Sequence, residues 1–436
     1  ELALFQPNEP ECFYRASVGR ANSEMTCIVQ KYGGSSVADV IKLRRVAELI
    51  AAVKHQELGV AVVVSAMGKT TDDLMALAAD VSPSLHPREM DMLLTAGERV
   101  SMALLAMAIR DYGHEAISLT GSQAGILTDS SHGAARIKDV RAFRVRESLD
   151  AGNVVIVAGF QGVNPDNKEI TTLGRGGSDA TAVAMAAYLR ADVCEIYTDV
   201  DGVFTADPRV VPEARKLDEI SFEEMLEYAA AGAGVLLTRS VELGRPFGIP
   251  LHVRSSFHDG AGTWVKESTM ETAVVSGVAH DTSEAKVTVH GVPDRPGVAA
   301  ALFEPLAESG VNVDMIVQNV STAGVTDVSF TVPRGHAAAA LEIATGVSAD
   351  LGAAGADLDE DIAKVSVIGA GMHAYPGVAA TIFTTLAGAG INIQMISTSA
   401  ARVSCVIAAH RAEEAVQLLH HAFEPPAVAD EEGSRE

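Results

Sequence analysis

Cysteine is scarce in this sequence. Cys12, Cys27, Cys194 and Cys405 lie scattered through 436 positions, without CxxC or His-paired spacing. That excludes a disulfide scaffold and a thiolate zinc site, and it reads as reduced thiols in a cytoplasmic protein. Long apolar runs are missing too: none approaches the ~20 residues a membrane helix needs. Residues 1–24 hold charges, two prolines and no apolar stretch, so no signal peptide is expected there. This opening segment fits no element, and Met25 is expected to be the true first residue. Positive charge is short, with 33 Lys and Arg against 57 Asp and Glu, a formal charge of −24. Such a field repels nucleic acid and anionic membranes, so neither is expected as a partner. A polyanionic ligand would have to be met by positive charge concentrated locally.

What is present is a globular composition, 48% hydrophobic and 21% charged. Its length suggests about three domains at roughly 150 residues each. From Cys27 to about Phe257, apolar runs alternate with helical stretches. Strands are predicted at Cys27–Lys31, Val60–Ala66, Ala116–Leu119, Val154–Ala158, Val193–Thr198 and Leu251–Arg254. Helices are predicted over Val37–Lys54, Ala96–Tyr112, Asp179–Leu189 and Phe222–Ala231, the last with a Ser221/Glu224 capping box and a stop at Gly232. This alternation implies an α/β domain with a mainly parallel sheet flanked by helices.

The C-terminal third repeats itself. Lys286-Val-Thr-Val-His-Gly291 recurs as Lys364-Val-Ser-Val-Ile-Gly369, and Pro296-Gly-Val-Ala-Ala300 as Pro376-Gly-Val-Ala-Ala380. Phe303, Gly310, Asn312 and Met315-Ile316 recur 80 positions on. Each copy reads strand, Pro-Gly turn, helix, Gly, then a strand opening with Asn. The expected division is 1–24 unassigned, 25–257 the α/β domain, 258–284 a linker with a first regulatory strand, 285–360 and 361–423 the two repeats, and 424–436 a disordered tail rich in Glu, Pro and Ala.

Several motifs carry chemistry. Gly68-Lys69-Thr70 mimics the end of a Walker A loop, but Val63 stands where that pattern needs its first glycine, so a P-loop is rejected. Lys31-Tyr-Gly-Gly-Ser-Ser36 places a lysine at a strand end before Gly33, Gly34 and Ser35. Glycines let backbone N–H groups approach phosphate, and a lysine spans transferring phosphoryl groups. Read alone, an ordinary strand–turn–helix corner explains it equally well. In Thr171-Thr-Leu-Gly-Arg-Gly-Gly-Ser-Asp179, Arg175 can fork onto a carboxylate or a phosphate, and Ser178 or Asp179 can cap the next helix. Tyr197–Arg209 offers carboxylates and hydroxyls suited to Mg2+ and ribose, with Arg209 for phosphate; a solvated acidic loop is the alternative. No dedicated set of metal-ligating side chains is read.

Together with Leu94-Thr-Ala-Gly-Glu98 and Thr120-Gly-Ser-Gln-Ala-Gly125, these motifs run in the order found in aspartate kinases. From Cys27 to Phe423 the chain resembles the monofunctional actinobacterial type, an amino-acid-kinase domain followed by two ferredoxin-like ACT modules. The resemblance implies transfer of the γ-phosphoryl of ATP, with Mg2+, to L-aspartate, giving 4-phospho-L-aspartate for lysine, threonine and methionine (diaminopimelate) synthesis. It implies Lys31 as the phosphate-bridging group, with Ser178 and Asp179 beside the transferring group. Ser65, Thr71, Glu98, Phe160 and Arg175 would bind aspartate, Glu98 on its ammonium and Arg175 on a carboxylate. Thr198, Asp199, Phe204, Asp207 and Arg209 would hold the nucleotide. Asp294, Gly297, Gln318, Asn319 and Asn392 would meet lysine or threonine as effectors. An oligomer is implied, either of this chain alone or with an ACT-only subunit started internally at Met270. Two positions depart from the family pattern: Gly234 replaces a nucleotide-contacting lysine, and Ala400 replaces a glutamate. The first keeps open a second function, a kinase-derived amino acid sensor with weak catalysis.

Overall fold

The computed structural model describes residues 26–56, 58–267, 273–319 and 324–423. Residues 1–24 with Met25, the internal-start Met270, and the tail 424–436 lie outside the described residues. The N-terminal part runs β1 (Cys27–Tyr32), α1 (Val40–Lys54), β2 (Gly59–Val64), α2 (Thr70–Val81), α3 (Pro87–Asp111), β3 (Ala116–Leu119), β4 (Ile126–Thr128), β5 (Ile137–Val140), α4 (Phe143–Asp150) and β6 (Val154–Ala158). It continues β7 (Gln161–Val163), β8 (Ile170–Thr172), α5 (Gly177–Leu189), β9 (Val193–Thr198), β10 (Glu219–Ser221), α6 (Phe222–Ala230), α7 (Thr238–Gly244), β11 (Leu251–Ser255) and β12 (Thr263–Lys266).

Eight of these strands form one sheet in the order β10-β12-β11-β9-β1-β2-β6-β3, parallel except between β11 and β12. β2 and β6 are apolar at every position because helices cover both faces, the usual condition of a parallel sheet. Alternate residues divide cleanly. Val29, Ala61, Val63, Val155 and Val157 pack with α5, while Ile28, Val60, Val62, Val64 and Ile156 pack with α1 and α3. A small sheet, β5-β4-β7-β8, stands beside it. By length and composition α3 could cross a bilayer; here half of its apolar stretch is buried against the protein, and it carries Asp91, Glu98, Arg99 and Arg110.

The predicted helix over 37–54 is interrupted. Gly34–Val37 makes a short 3-10 turn, and α1 starts afresh after Asp39, whose side chain accepts from Lys42 N at 2.9 Å. The Ser221/Glu224 capping box forms, and Gly232 turns the chain at φ +91°.

The repeats follow as β13 (Gly277–Asp281), β14 (Glu284–Pro293), α8 (Val298–Glu308), β15 (Ile316–Gln318), β16 (Val325–Pro333), α9 (Ala337–Leu351), β17 (Gly355–Asp359), β18 (Ile362–Ile368), α10 (Val378–Gly388), β19 (Met395–Thr398), β20 (Arg402–Ala408) and α11 (Ala412–Phe423). Each builds a four-stranded sheet, β15-β16-β14-β17 and β19-β20-β18-β13. The second unit therefore takes its fourth strand from ahead of the first. β13 pairs antiparallel with β18 from Gly277–Ile368 to Asp281–Lys364. β12, in the stretch expected to be linker, belongs to the large sheet. Asn312 and Asn392 do not open strands as predicted: they stand in the loops before β15 and β19, because β16 and β20 pair no further back than Asp314 and Gln394.

Candidate active site

Parallel strands end together, so β1, β2, β6 and β9 bring their following loops to one edge of the sheet, where α/β proteins bind ligands. After β1, Gly33 N donates to Tyr197 O at 3.3 Å, and Gly68 N donates to Gly34 O at 3.0 Å. A Cβ on Gly34 would meet Ala66 O at 2.9 Å, so only glycine lets these loops close. Ser35 follows within the 3-10 turn. Lys31 Nζ lies 2.5 Å from Asp179 Oδ1, with both side chains about nine-tenths buried. The predicted capping role of Ser178 or Asp179 is not what forms. α5 is entered from Gly176 at φ +68°, without a side-chain cap. The carboxylate of Asp179 is occupied by Lys31, and Ser178 is packed against Gly159, where a Cβ would come within 2.7 Å of its Oγ. Phe160 holds φ +67°, an uncommon conformation for a side chain, and backs directly onto Gly177.

α3 presents its polar face to the loop after β2. Gly97 allows contact with Ala66, and Ser101 Oγ donates to Ser65 O at 2.7 Å. Glu98 is 3% exposed. Its Oε1 accepts from Ala66 N at 3.3 Å, while its Oε2 is buried without a partner. Burial pushes this carboxyl up to about 7, against weaker lowering by its backbone hydrogen bonds. Ser65 and Thr71 flank this loop, half-buried, and Arg175 stands exposed in its glycine loop.

Sequence reasoning missed Asp91, two turns before Glu98 on the same helix. It is 1% exposed and accepts from Thr172 Oγ1 at 2.5 Å and Gly133 N at 3.1 Å, with His132 Nδ1 at 2.6 Å. It therefore ties α3 to the strand that leads into Arg175. The pairing of His132 and Thr172 with a residue so far away leaves no trace in local pattern. Glu195 was missed as well. It is buried in β9; burial alone would raise its carboxyl, but bonding with His252 and Gln30 and the charge of Arg254 outweigh that and hold it at about 2. The i, i+7 spacing of Asp91 and Glu98 on one apolar helix was the one available signal.

Beyond β9 opens a cavity of about 580 Å3. All five residues expected to hold a nucleotide, Thr198, Asp199, Phe204, Asp207 and Arg209, line it. Lys31, Gly33–Ser35 and Arg175 do not line it; Lys31 and Gly33–Ser35 stand at the end of the neighbouring β1, and Arg175 in the loop between β8 of the small sheet and α5. Arg209 Nη2 reaches Asp207 Oδ2 at 2.6 Å, and chiefly through this bonding the Asp207 carboxyl stays below its usual range. No cluster of three or more potential metal ligands occurs among the described residues. The acidic groups at hand, Asp179 and Asp199, fit the one or two carboxylates that a phosphate-bound Mg2+ takes.

Of the residues expected at the effector sites, Asp294 and Gly297 form the turn into α8, with Gly297 at φ +95°. Gln318 ends β15 and Asn319 follows it, while Asn392 stands in the loop before β19, the counterpart of Asn312; all three are exposed.

An amino acid kinase family model matches residues 26–255, and an ACT domain model matches residues 287–345 and again 365–423. The chain is 58% identical to an aspartokinase of Mycolicibacterium smegmatis over 405 residues, 92% of this chain and 96% of that one. It is 53% identical to an aspartokinase of Corynebacterium glutamicum over 406 residues, with the same shares. E. coli aspartokinase III in complex with aspartate and ADP, in its R-state, matches at TM-score 0.77 and 27% identity, over 91% of this chain and 99% of that one. The same enzyme in complex with lysine and aspartate, in its T-state, matches at TM-score 0.70 and 26% identity, again over 91% and 99%.

Proposed function

The chain belongs to the aspartokinases, and we propose that it transfers the γ-phosphoryl group of ATP to the β-carboxylate of L-aspartate, giving 4-phospho-L-aspartate. The observation that carries this reading is Glu98: a buried carboxylate with one oxygen unpartnered, one loop away from Lys31 and Gly33–Ser35. A primary ammonium is the group that would satisfy it. Arg175 would take a substrate carboxylate, with Ser65, Thr71 and Phe160 enclosing the rest.

The nucleophile has an ordinary pKa of ~3.9, so it is ionised at neutral pH and needs no general base. The remaining work is to align two anions and offset their repulsion. Lys31, steered by Asp179, supplies one charge at the transferring group, and the backbone N–H groups of Gly34 and Ser35 would supply oriented dipoles. Mg2+, held by the nucleotide phosphates with Asp179 or Asp199, would neutralise developing charge. Thr198, Asp199, Phe204, Asp207 and Arg209 would hold the nucleoside end. ADP and aspartate in the E. coli neighbour support this division of the site.

The ACT modules would carry feedback by lysine, threonine or both, through Asp294, Gly297, Gln318, Asn319 and Asn392, for a first step towards lysine, threonine and methionine in the cytoplasm. Lysine bound to the T-state neighbour supports this. An oligomer, with or without a shorter subunit starting at Met270, belongs to the same reading.

The test is an ADP-release assay with ATP, Mg2+ and L-aspartate across pH. Below pH about 7 Glu98 is protonated in the free protein and loses its attraction for ammonium. The KM for aspartate should rise up to about tenfold per pH unit below that point, and Glu98→Gln should raise KM and flatten the profile. The same raised carboxyl favours the fold at low pH, and that contribution is lost as pH rises through about 7. Absence of aspartate-dependent turnover sinks the reading; nucleotide binding retained without turnover would favour the sensor.

A further inference from the structure

The wall of the nucleotide cavity is not built by the kinase domain alone. Val278, Ala279 and His280 line it, and they belong to β13, the fourth strand of the second ACT sheet. β13 is brought there by close approach at two glycines. A Cβ on Gly232 would meet Asp281 Cβ at 2.8 Å and His280 O at 3.0 Å. A Cβ on Gly277 would come within 2.2 Å of Thr205 O and of Tyr228 Oη. Val278 N donates to Thr205 O at 2.7 Å, which fixes the strand beside the loop that carries Asp207 and Arg209.

The charge lining the cavity is wrong for a polyphosphate. Asp199, Asp201 and Asp207 face it against one guanidinium, Arg209. That guanidinium already spends its fork on Asp207, through Nε at 3.0 Å and Nη2 at 2.6 Å. Gly232, Ala233 and Gly234 bring no side-chain charge, and a Cβ on Gly234 would find only Gly232 O, at 3.8 Å. Among the lining residues, one further side chain can donate a hydrogen bond from a ring nitrogen or carry positive charge, and that is the half-buried His280. His280 also contributes to the lowering of the Asp207 carboxyl, after Arg209 and against burial, which places its ring within electrostatic reach of that pair.

We propose that His280 is a nucleotide-binding residue supplied by the regulatory half, donating from its imidazole to the ribose or phosphate oxygens of ATP and ADP. The proposal rests on the nucleotide reading of the cavity given above. Because His280 stands opposite Val365 in the β13–β18 ladder, the position of the second ACT sheet then sets the reach of a group that touches nucleotide.

The test is calorimetric titration of the purified full chain with ADP, alongside KM for ATP and for aspartate. His280→Ala should weaken ADP binding about five- to twentyfold and raise the KM for ATP by a similar factor, with kcat and the KM for aspartate kept within about twofold. His280→Gln, which keeps a side-chain N–H, should recover part of the loss, and His280→Lys most of it. A purely structural role would instead move both KM values and the melting temperature together, and that result overturns the proposal. ADP affinity within twofold of wild type in His280→Ala overturns it as well, while leaving the kinase reading intact. Wild-type protein that binds no ADP overturns the nucleotide reading, and this proposal with it.

Discussion

The two ACT modules share a strand order and a reciprocal contact, yet only one of the two contacts is buried. Lys286 and Lys364 occupy the same place in β14 and β18, and each reaches into the other module at equivalent positions. Lys286 Nζ donates to Gln394 Oε1 and lies 3.3 Å from Asp359. Lys364 Nζ lies 2.5 Å from Asp314 and 2.8 Å from Glu284, and 3.4 Å from Ala230 O at the end of α6. Between them Met315, Met395, Ile362 and Val406 form a small apolar seam. The symmetry breaks because the second module is the one docked on the kinase domain. His420 meets Thr205 Oγ1 at 2.9 Å, Gln417 donates to Val210 O at 2.8 Å, and Ser399 and Arg402 both reach Glu227. Docking buries Lys364 to 1% exposure, and a buried ammonium persists only with matched carboxylates. An inexact repeat in sequence thus becomes one more exposed contact and one buried three-way junction.

The sharpest way to break this comparison is to remove each lysine in turn. Lys364→Met leaves Glu284 and Asp314 facing each other without their cation and should cost about 3–5 kcal/mol, seen as early unfolding of the regulatory half in urea. Lys286→Met should cost at most about 1 kcal/mol, since its partners are a neutral amide and an exposed carboxylate. Neutralising the whole junction, as Lys364→Met with Glu284→Gln and Asp314→Asn, should recover most of the loss. Equal effects of the two single changes would show that the docking asymmetry is energetically idle.

How much of this was legible beforehand follows from the range of each interaction. β1, β2, β6 and β9 are short apolar runs with local turn signals, and the capping box at Ser221 is a four-residue pattern; these were readable to within two residues. The five residues expected to hold a nucleotide fall within one short stretch, from the end of β9 into the loop after it, so their shared cavity follows from a contiguous motif. The helix over 87–95 escapes the pattern because its apolar spacing is diluted by Arg88, Glu89 and Asp91: Arg88 pairs with Glu89 and with Glu169 just before β8, and Asp91 bonds Thr172 in β8 and the loop at His132 and Gly133. β13 reads as a strand before the first repeat, but it pairs with β18 far along the chain, from Gly277–Ile368 to Asp281–Lys364, a pairing that no local period encodes. For the same reason Lys364, which looks in the repeat like a copy of Lys286, gave no sign of being buried.

A smaller change probes the docking itself. The sequence suggests that Ala400 lacks a partly buried glutamate, but Ala400 is exposed, in the turn between Ser399 and Arg402. The need for a carboxylate is nonetheless visible: Arg402 Nη1 is buried with no hydrogen-bond partner, while its Nε lies 3.3 Å from Glu227. Ala400→Glu should reinforce this corner by no more than about 1 kcal/mol, because the new side chain starts from solvent. Inhibition by lysine or threonine should sharpen by at most about fivefold, read from inhibition curves at fixed aspartate. A larger shift would mean that position 400 touches effector directly.

The smallest effect separates the modules by pH. On the open face of the first module His290 stands between Asp327 at Nδ1 and Asp357 at Nε2, each 3.1 Å away. The hydrogen bond that the ring donates to Asp327 leads in raising the imidazole above its usual value; slight burial opposes it, and Asp357 adds to the rise. A histidine whose folded pKa is raised stabilises the fold most when protonated in both states, below about 6.5, and that contribution fades as pH climbs through the raised value. The site is well exposed, so screening leaves only a few tenths of a kcal/mol. The second module has Ile368 at the matching position, buried and without charge. Hydrogen exchange between pH 6 and pH 8.5, corrected for intrinsic rates, should therefore show a slight loosening of β14, β16 and β17 with no counterpart in β18 and β20. His290→Gln should abolish the trend. A pH response of equal size in both sheets would place its origin in the shared seam and not in His290.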